Sequence, residues 1–297
     1  MKSSAGKIEL AGFDDLFQTG GEMVQEIPLS ELFPFKNHPF QVRDDEAMQK
    51  TVESIARSGV LSPGIVRPRR EGGYEIIAGH RRKRGSELAG RETMPVLVRE
   101  LDDDEATIIM VDSNLQREKI LPSEKAFAYK MKVNALKHQG ARNDRTSARG
   151  VPKLQARDQV ALDAGEKSHM AVTRYISLTK LIPSLLTMVD EEKLSVSTAA
   201  DYISVLSENE QTDLVSVMDK LGVIPVKGQL VRIKDQSKAG TLTITVIEAI
   251  LSEGHTATVQ VVLKHTKLHQ YFPESYTAQQ MEEIIVSLLE GWKLQQA

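Results

Sequence analysis

The 297-residue sequence contains no cysteine. It therefore has no disulfide bridge, no thiolate metal site and no cysteine nucleophile, and this composition suits a reducing cytoplasm. We find no secretory leader and no apolar run of bilayer-spanning length, so neither export nor membrane insertion is expected. The phosphate-binding patterns GxxxxGK(S/T) and GxGxxG are missing too, which excludes the common nucleotide-binding loops.

What is present is typical of a folded, multidomain protein. Hydrophobic residues make up 40% of the chain and charged residues 27%, and the length is too great for one small core. From Val24 to about residue 120, short β-rich runs alternate with helical patterns. After Pro122 the strand patterns stop, and helices are predicted to about Gly222. A joint near Pro225–Lys238 then leads to a helix, a strand over 256–265 and a last helix.

These patterns divide the chain into four expected parts. Residues 1–23 are predicted to be a flexible tail, because they are polar with one short apolar patch. We expect an α+β domain at 24–120, an all-α domain at 121–222 and a small α/β domain at 223–297.

The net charge of −3 conceals two basic blocks. Arg67–Arg99 contains nine lysines and arginines against four acids, and Arg117–Lys180 contains fourteen against six. The chain from Leu181 onward has nine bases against fifteen acids. Two basic blocks in an otherwise acidic chain indicate two anion-binding surfaces, although helices that merely carry their charge on one side are the alternative.

The second basic block contains a pattern typical of a helix-turn-helix, at about 156–178. Ala161 is small enough for two helices to approach, and Gly165 can adopt the turn conformation that other residues resist. The second helix is predicted to begin near Ser168 and to expose side chains that suit base edges and phosphates. We expect DNA contacts from Ser168, His169, Thr173 and Arg174, and phosphate contacts from Lys137 and Arg149. An ordinary helical hairpin is the alternative.

The first basic block contains the segment AGHRRKRG at Ala78–Gly85. A glycine between a strand and a helix lets backbone N–H groups approach an anion, and Arg81 and Arg82 add bidentate donors. A solvated helix face is the alternative. Further on, Asn114 and Arg117 end an acidic helix. They could complete a metal–phosphate site or simply cap that helix.

Four segments and the helix pair occur in an order that resembles the ParB family of partition proteins. The segments are HPFQVRDD, SGVLSPGIVRP, AGHRRKRGSELAG and SNLQREKILPSEKAFAY, and the resemblance covers about residues 24–220. It is greatest to members carried on plasmids and conjugative elements. The resemblance implies a centromere-binding protein that binds CTP and closes into a DNA clamp, with CTP bound by the α+β domain.

The resemblance also assigns roles to residues. It implies that Gly79–Arg82 holds the triphosphate, that Ser58–Pro63 contacts cytosine and ribose, and that Asn114 binds Mg²⁺. The implied CTP site comprises Gly59, Val60, Ser62, Gly79, His80, Arg81, Arg82, Asn114 and Arg117. His80 and Ser113 stand where the family usually has glutamate, and a missing carboxylate weakens magnesium coordination. A weak CTPase activity is therefore left open.

We expect site-specific binding of double-stranded DNA at a palindromic, centromere-like site, in segregation of a plasmid, mobile element or chromosome. The expected partners are a ParA-type ATPase, contacted by the tail, and a second copy of the chain. The dimer would form through the C-terminal apolar stripe of Met281, Ile284, Ile285, Leu288, Leu289 and Trp292. The expected location is the cytoplasm, on a nucleoid or plasmid. Two alternatives are a DNA-binding or nucleoid-occlusion-type regulator without a nucleotide switch, and a ParB-fold nuclease.

Overall fold

The computed structural model describes residues 23–117, 119–143, 155–253, 271–272 and 276–295. The chain divides into two compact units, Met1–Leu251 and Ser252–Ala297. The predicted strand over 256–265 lies outside the described residues, as do Arg149 and nearly all of the predicted tail.

The first unit begins with a five-stranded mixed sheet. Its strands are β1 (Val24–Pro28), β2 (Leu32–Phe33), β3 (Gly64–Pro68), β4 (Tyr74–Ala78) and β5 (Thr93–Val98). Their spatial order is β1-β5-β3-β4-β2, in which β1 with β5 and β3 with β4 are antiparallel. Both faces are buried. Ile65 and Ile77 pack into one core cluster, whereas their neighbours Val66 and Ile76 pack into another, as the alternation of side chains along a strand requires.

Three helices complete this α+β part: α1 (Glu46–Ser58), α2 (His80–Leu88) and α3 (Asp103–Leu115). The start of α1 is capped by Asp45, whose carboxylate accepts a hydrogen bond from the Met48 backbone N–H at 2.9 Å. The start of α3 has a capping box formed by Asp102 and Glu105. Strands and helices therefore follow the order predicted from the sequence.

The rest of the first unit is helical. Its α-helices are α4 (Pro122–Asn143), α5 (Ala156–Asp163), α6 (His169–Leu178), α7 (Pro183–Asp190), α8 (Val196–Thr198), α9 (Glu208–Leu221), α10 (Lys227–Lys238) and α11 (Ile244–Ser252). A π-helix at Ala199–Ile203 continues directly from α8. In the second unit, α12 spans Ala278–Gln295. Among the described residues, no helix is both long enough and apolar enough to cross a membrane.

The helical core continues past Gly222, where the sequence analysis placed a domain boundary. One cluster of buried residues runs from Leu178 to Leu251. The segment expected to be a joint is helix α10, because Leu230 and Ile233 are fully buried at helical spacing. Burial of this apolar pair outweighs the low helix propensity of the one glycine in the segment.

A buried lysine links the two parts of the first unit. Lys132 on α4 is only 1% exposed, and its ammonium contacts Asp112 on α3 and Asp163 on α5, the latter at 2.5 Å. Burial raises the pKa of the Asp112 carboxyl, and the Lys132 charge beside it acts in the opposite direction. Three helices thus share one charge cluster of a lysine between two aspartates, which we call the Lys132 bridge.

We expect Lys132→Ala to lower the free energy of unfolding by about 3 kcal/mol, because removing one member of a buried pair leaves its partners uncompensated. The two carboxylates keep side-chain exposures of 30% and 23%, which places the loss at the low end of the usual range. Urea unfolding measures the change. Lys137→Ala removes an exposed lysine from the same helix and should change stability by less than about 0.5 kcal/mol. Equal losses in the two variants would contradict a structural role for the bridge.

Candidate functional site

Helix α2 begins immediately after strand β4, at a glycine that the geometry requires. Gly79 has φ 114°, and a Cβ placed on it would lie 3.2 Å from the Cα of Gly64 on the neighbouring strand. The first backbone N–H groups of α2 have no partner within the helix, and the helix dipole adds partial positive charge there. The strand-to-helix junction therefore has the backbone arrangement that the sequence analysis associated with anion binding.

The basic run that follows is not a uniform surface. Arg84 makes a two-point ion pair with Asp44, at 3.1 and 2.6 Å, and Lys83 contacts Glu87 at 2.6 Å. Hydrogen bonding to Asp44 holds the pKa of Arg84 above its usual value. These two cations are already neutralised by acids. The charges that remain for a ligand lie nearer the start of the helix.

Arg82 faces the loop that joins α1 to β3. Gly59 ends α1 with φ 71°, and Val60 packs against the sheet. The Nη1 atom of Arg82 donates to the carbonyl oxygens of Ser62 at 2.6 Å and Pro63 at 2.5 Å. Burial lowers the pKa of the Arg82 guanidinium. Two of the implied nucleotide-site segments, Gly79–Arg82 and Ser58–Pro63, are thereby held together, and one of the expected phosphate donors is largely used to hold this loop.

His80 is a half-buried, neutral residue in this structure. Its Nε2 atom accepts a hydrogen bond from the Phe35 backbone N–H at 3.3 Å, and its ring lies 3.9 Å from the ring of His38. Burial lowers the pKa of His80 to about 3 and that of His38 to about 4. The His38 Nδ1–H donates to the Phe40 carbonyl at 2.7 Å. The histidine pair thus fixes the loop between β2 and α1.

Two arginines near the start of α2 are incompletely neutralised. Arg117 lies 5.4 Å from the centre of the Phe40 ring, and within the described part of the chain no ion pair joins it to an acid. Burial lowers the pKa of the Arg117 guanidinium, the charge of Glu124 acts to raise it, and the like charge of Arg81 acts to lower it further. Arg81 contacts Asp45 only at 3.5 Å. A bound anion would relieve this unfavourable pairing of like charges.

The neighbouring polar side chains at the end of α3 bond to their own helix. Asn114 is buried, and its Nδ2 donates to the Met110 carbonyl at 2.8 Å. The Ser113 hydroxyl donates to the same carbonyl at 2.9 Å. Both side chains thus bond back to a carbonyl within α3 and not to the last carbonyls of the helix, so these bonds are not a helix cap.

The residues around the junction do not fit a magnesium ion. Its preferred ligands are carboxylate oxygens, but Asp44 is paired with Arg84 and Asp45 caps a helix. Glu124 accepts backbone N–H bonds from Gln41 at 2.8 Å and Leu121 at 3.0 Å. Across the described ranges, no group of three or more histidines and acids is arranged to hold a metal. A single carboxamide is a weak substitute for these ligands.

The second candidate surface is built by α5, α6 and the turn between them. Gly165 has φ 65°, and the Glu166 backbone N–H donates to the Ala161 carbonyl at 2.8 Å. Ala161 is buried, as expected from its place between the two helices. Glu166 accepts from the Tyr129 hydroxyl at 2.8 Å and contacts Lys125 at 3.1 Å. The turn is therefore fixed to α4 as well as closed on itself.

The residues predicted to contact DNA lie at the front of α6, but not all are equally exposed. Ser168 is exposed and immediately precedes the helix. His169 is exposed and contacts Asp158 at 3.1 Å. Thr173 is half-exposed, and its hydroxyl donates back to the His169 carbonyl at 2.9 Å. Arg174 is exposed and forms an ion pair with Asp201, which lies outside α6. Lys137 lies exposed on α4.

A cavity of about 880 Å³ opens elsewhere on the sheet and contains none of the predicted site residues. Its charged lining is largely self-neutralised. Arg67 contacts Glu75 at 2.6 Å and Asp103 at 2.8 Å, and Arg69 contacts Glu71 at 2.5 Å. The cavity therefore offers an anion far less charge than its three arginines would indicate.

Several residues that shape these surfaces had no role predicted from the sequence. His38 lies in HPFQVRDD, one of the segments that resemble the ParB family, but its contact with His80 was not predicted. Asp45 precedes a predicted helix, and this N-cap signal was available. Lys132 and Glu166 gave no local signal, because their partners lie on other helices.

Comparison with known proteins identifies similar chains. The family model described as "ParB N-terminal domain" matches residues 15–115. A "Nucleoid occlusion protein" of Listeria monocytogenes serotype 4b is 30% identical over 212 residues, which cover 71% of this chain and 68% of that protein. A "Probable chromosome 1-partitioning protein ParB" of Deinococcus radiodurans is 35% identical over 207 residues, covering 67% and 64%.

Two solved structures of the C-terminally truncated ParB of Caulobacter crescentus are also similar. The complex with the centromeric parS site has a TM-score of 0.42 and 23% identity, and covers 76% of this chain and 97% of that chain. The complex with CTP-gamma-S has a TM-score of 0.31 and 26% identity, covering 63% and 94%.

The turn between α5 and α6 gives a test of local conformation. A Cβ on Gly165 would meet no atom within 4 Å, so the cost of Gly165→Ala comes from φ alone. We expect this change to lower the free energy of unfolding by about 1–2 kcal/mol. Gly228→Ala is the matched control, since this site is equally open but lies in a helix without positive φ. It should be neutral or stabilise by up to about 1 kcal/mol. Thermal unfolding compares the two, and losses of the same size would contradict the strained-turn explanation.

Proposed function

This chain belongs to the ParB family, and from that premise we propose that it binds a specific double-stranded DNA site and that CTP binding switches how it holds the DNA. The role we infer is partition of a plasmid, mobile element or chromosome, or nucleoid occlusion. The α5–α6 pair would read the DNA sequence. The junction between β4 and α2 would bind the triphosphate.

The observation that carries the DNA-binding proposal is the presentation of α6. The helix follows a turn fixed by Gly165 and Glu166, and it exposes Ser168, His169 and Arg174 at its front. A ten-residue helix held in this way fits the major groove, where side chains of these types contact base edges and phosphates. The net positive charge of the surrounding sequence favours approach to DNA.

Selection from a pool of randomised duplexes would identify the preferred site and allow two variants to be compared on it. Arg174→Ala should weaken binding to the selected site by about 1–3 kcal/mol, since it removes an expected base contact. Lys137→Ala should weaken binding to all duplexes alike and reduce the salt dependence by about one phosphate contact. If Arg174→Ala binds every duplex as the parent does, α6 is not the element that reads sequence.

The nucleotide proposal is supported by the two incompletely neutralised arginines. Arg81 is in the first turn of α2, and Arg117, which follows α3 in the chain, lies near it in space. The free backbone N–H groups at the start of α2 also favour an anion. Guanidinium groups bind phosphate oxygens with two parallel hydrogen bonds. The specificity for cytosine rests on the family resemblance of the Ser58–Pro63 segment. Because the residues present do not fit Mg²⁺, we propose CTP binding and no hydrolytic step.

Calorimetry with CTP tests this proposal. Arg117→Ala should weaken CTP binding by about 1.5–3 kcal/mol, the usual worth of a charge-assisted hydrogen bond, and leave affinity for a short selected duplex unchanged. Lys83→Ala removes the same charge from a residue already paired with Glu87, so CTP binding should be retained. Binding by the parent should persist in EDTA, since the carboxylates described near the junction, Asp44, Asp45 and Glu124, are already engaged within the protein. A parent that binds DNA but no CTP would be a regulator without a nucleotide switch.

Two further partners stay predictions. The C-terminal helix α12 exposes Ile284, Leu288 and Leu289, which fits an apolar dimer interface, and light scattering of the full chain measures the oligomeric state. Binding of a ParA-type ATPase is assigned to the tail, nearly all of which lies outside the described residues. Stimulation of the partner's ATPase activity tests it. The inferred location is on the nucleoid or plasmid whose DNA is bound.

A further inference from the structure

Arg174, the arginine expected to read DNA, is held by an acid that the sequence analysis did not single out. The Nε atom of Arg174 lies 3.2 Å from Oδ1 of Asp201, and its Nη2 atom lies 3.2 Å from Oδ2 of the same residue. Both side chains are about two-fifths exposed. The carboxylate thus contacts one long edge of the guanidinium plane, with two roughly parallel hydrogen bonds.

Asp201 is itself well fixed. It lies in the π-helix Ala199–Ile203, which is anchored by buried residues, and its carbonyl oxygen accepts a hydrogen bond from Lys234 Nζ at 2.6 Å. The next residue, Tyr202, has the ammonium groups of Lys227 and Lys234 at 6.0 and 5.3 Å from its ring centre. Single-turn π-helices often occur at functional sites. The carboxylate therefore has a defined position from which to orient a flexible arginine.

The contact leaves a particular part of Arg174 available. A guanidinium carries five N–H donors in one plane, and the contact with Asp201 uses Nε–H and one hydrogen of Nη2. The remaining donors, on Nη1 and Nη2, form the opposite end of the fork. Two adjacent donors match two adjacent acceptors, which in the major groove are N7 and O6 of guanine. Adenine presents an acceptor beside a donor and would leave one donor unsatisfied.

We propose that Asp201 is a positioning residue that holds Arg174 in the orientation required to read a guanine. The inference rests on the proposed function, because it requires α6 to lie in the major groove. An exposed ion pair contributes little to folding stability, so we infer that this contact acts when the protein binds DNA. Because Asp201 already restricts the Arg174 side chain, less conformational entropy is lost when Arg174 contacts a base.

The proposal predicts two effects of opposite sign on removing the Asp201 carboxylate. Arg174 would become free to rotate, so discrimination in favour of guanine would fall. Loss of a negative charge near the DNA would at the same time favour binding to any duplex, because the phosphates would be repelled less. A residue with a merely structural role would weaken both kinds of binding together.

The experiment uses the full chain and a pool of randomised duplexes, with the enriched base scored at each position. The parent should enrich a guanine that Arg174→Ala no longer selects. Asp201→Ala should reduce preference for that same guanine by about fivefold and leave the other positions unchanged, with equal or tighter binding to an unrelated duplex. Asp201→Glu should restore part of the preference, because it returns a carboxylate to the site. Asp235→Ala, which removes an exposed acid from α10, should not alter the guanine preference.

The outcomes separate this inference from the function on which it rests. If Arg174→Ala loses the guanine but Asp201→Ala keeps it fully, Asp201 is not a positioning residue and the DNA-binding proposal stands. If Asp201→Ala and Asp235→Ala change base preference equally, the effect is one of charge and the inference is overturned. If the parent enriches no sequence at all, the proposed function itself fails.

Discussion

The arrangement of the first unit depends on the charge of Lys132. This residue is on α4, yet it balances one acid from α3 and another from α5. Asp112 is two residues from Asn114, at the end of the helix implied in phosphate binding. Asp163 lies just before the turn that presents α6. Because an unpaired buried charge is costly, these helices cannot separate here without exposing the lysine or rebuilding its contacts. The two candidate surfaces are thus joined by one electrostatic constraint.

The basic run at His80–Arg84 shows how charge that is continuous in sequence is divided in space. Two of its cations form close ion pairs with acids, and Arg82 fixes a loop through two carbonyl groups. His80 is neutral and half-buried. Arg81 and the distant Arg117 are the cations left near the helix start. The site therefore depends on which charges remain uncompensated, which a count of basic residues does not show.

Much of the fold was predictable, because local signals determine it. Short β-rich runs identified β3 and β4, and Gly165 marked a position where the chain adopts positive φ. The order of the ParB-like segments indicated which residues to expect in a nucleotide site. Interactions between distant residues were not predictable. The contact between His38 and His80, the pairing of Arg174 with Asp201 and the continuation of the core through α10 all depend on how the chain folds back, which no local pattern contains.

The pairing of β1 with β5 has a consequence for the order in which the chain can fold during its synthesis. Val24 pairs with Leu97, so the first strand emerges from the ribosome long before its partner exists. Until β5 is made, β1 lacks the neighbouring strand with which it forms its native ladder, and contacts so far apart in sequence form slowly. The helices from α5 to α11 contact close neighbours in sequence and meet no such delay. The amino-terminal strand, although synthesised first, is therefore among the elements that must wait for a partner.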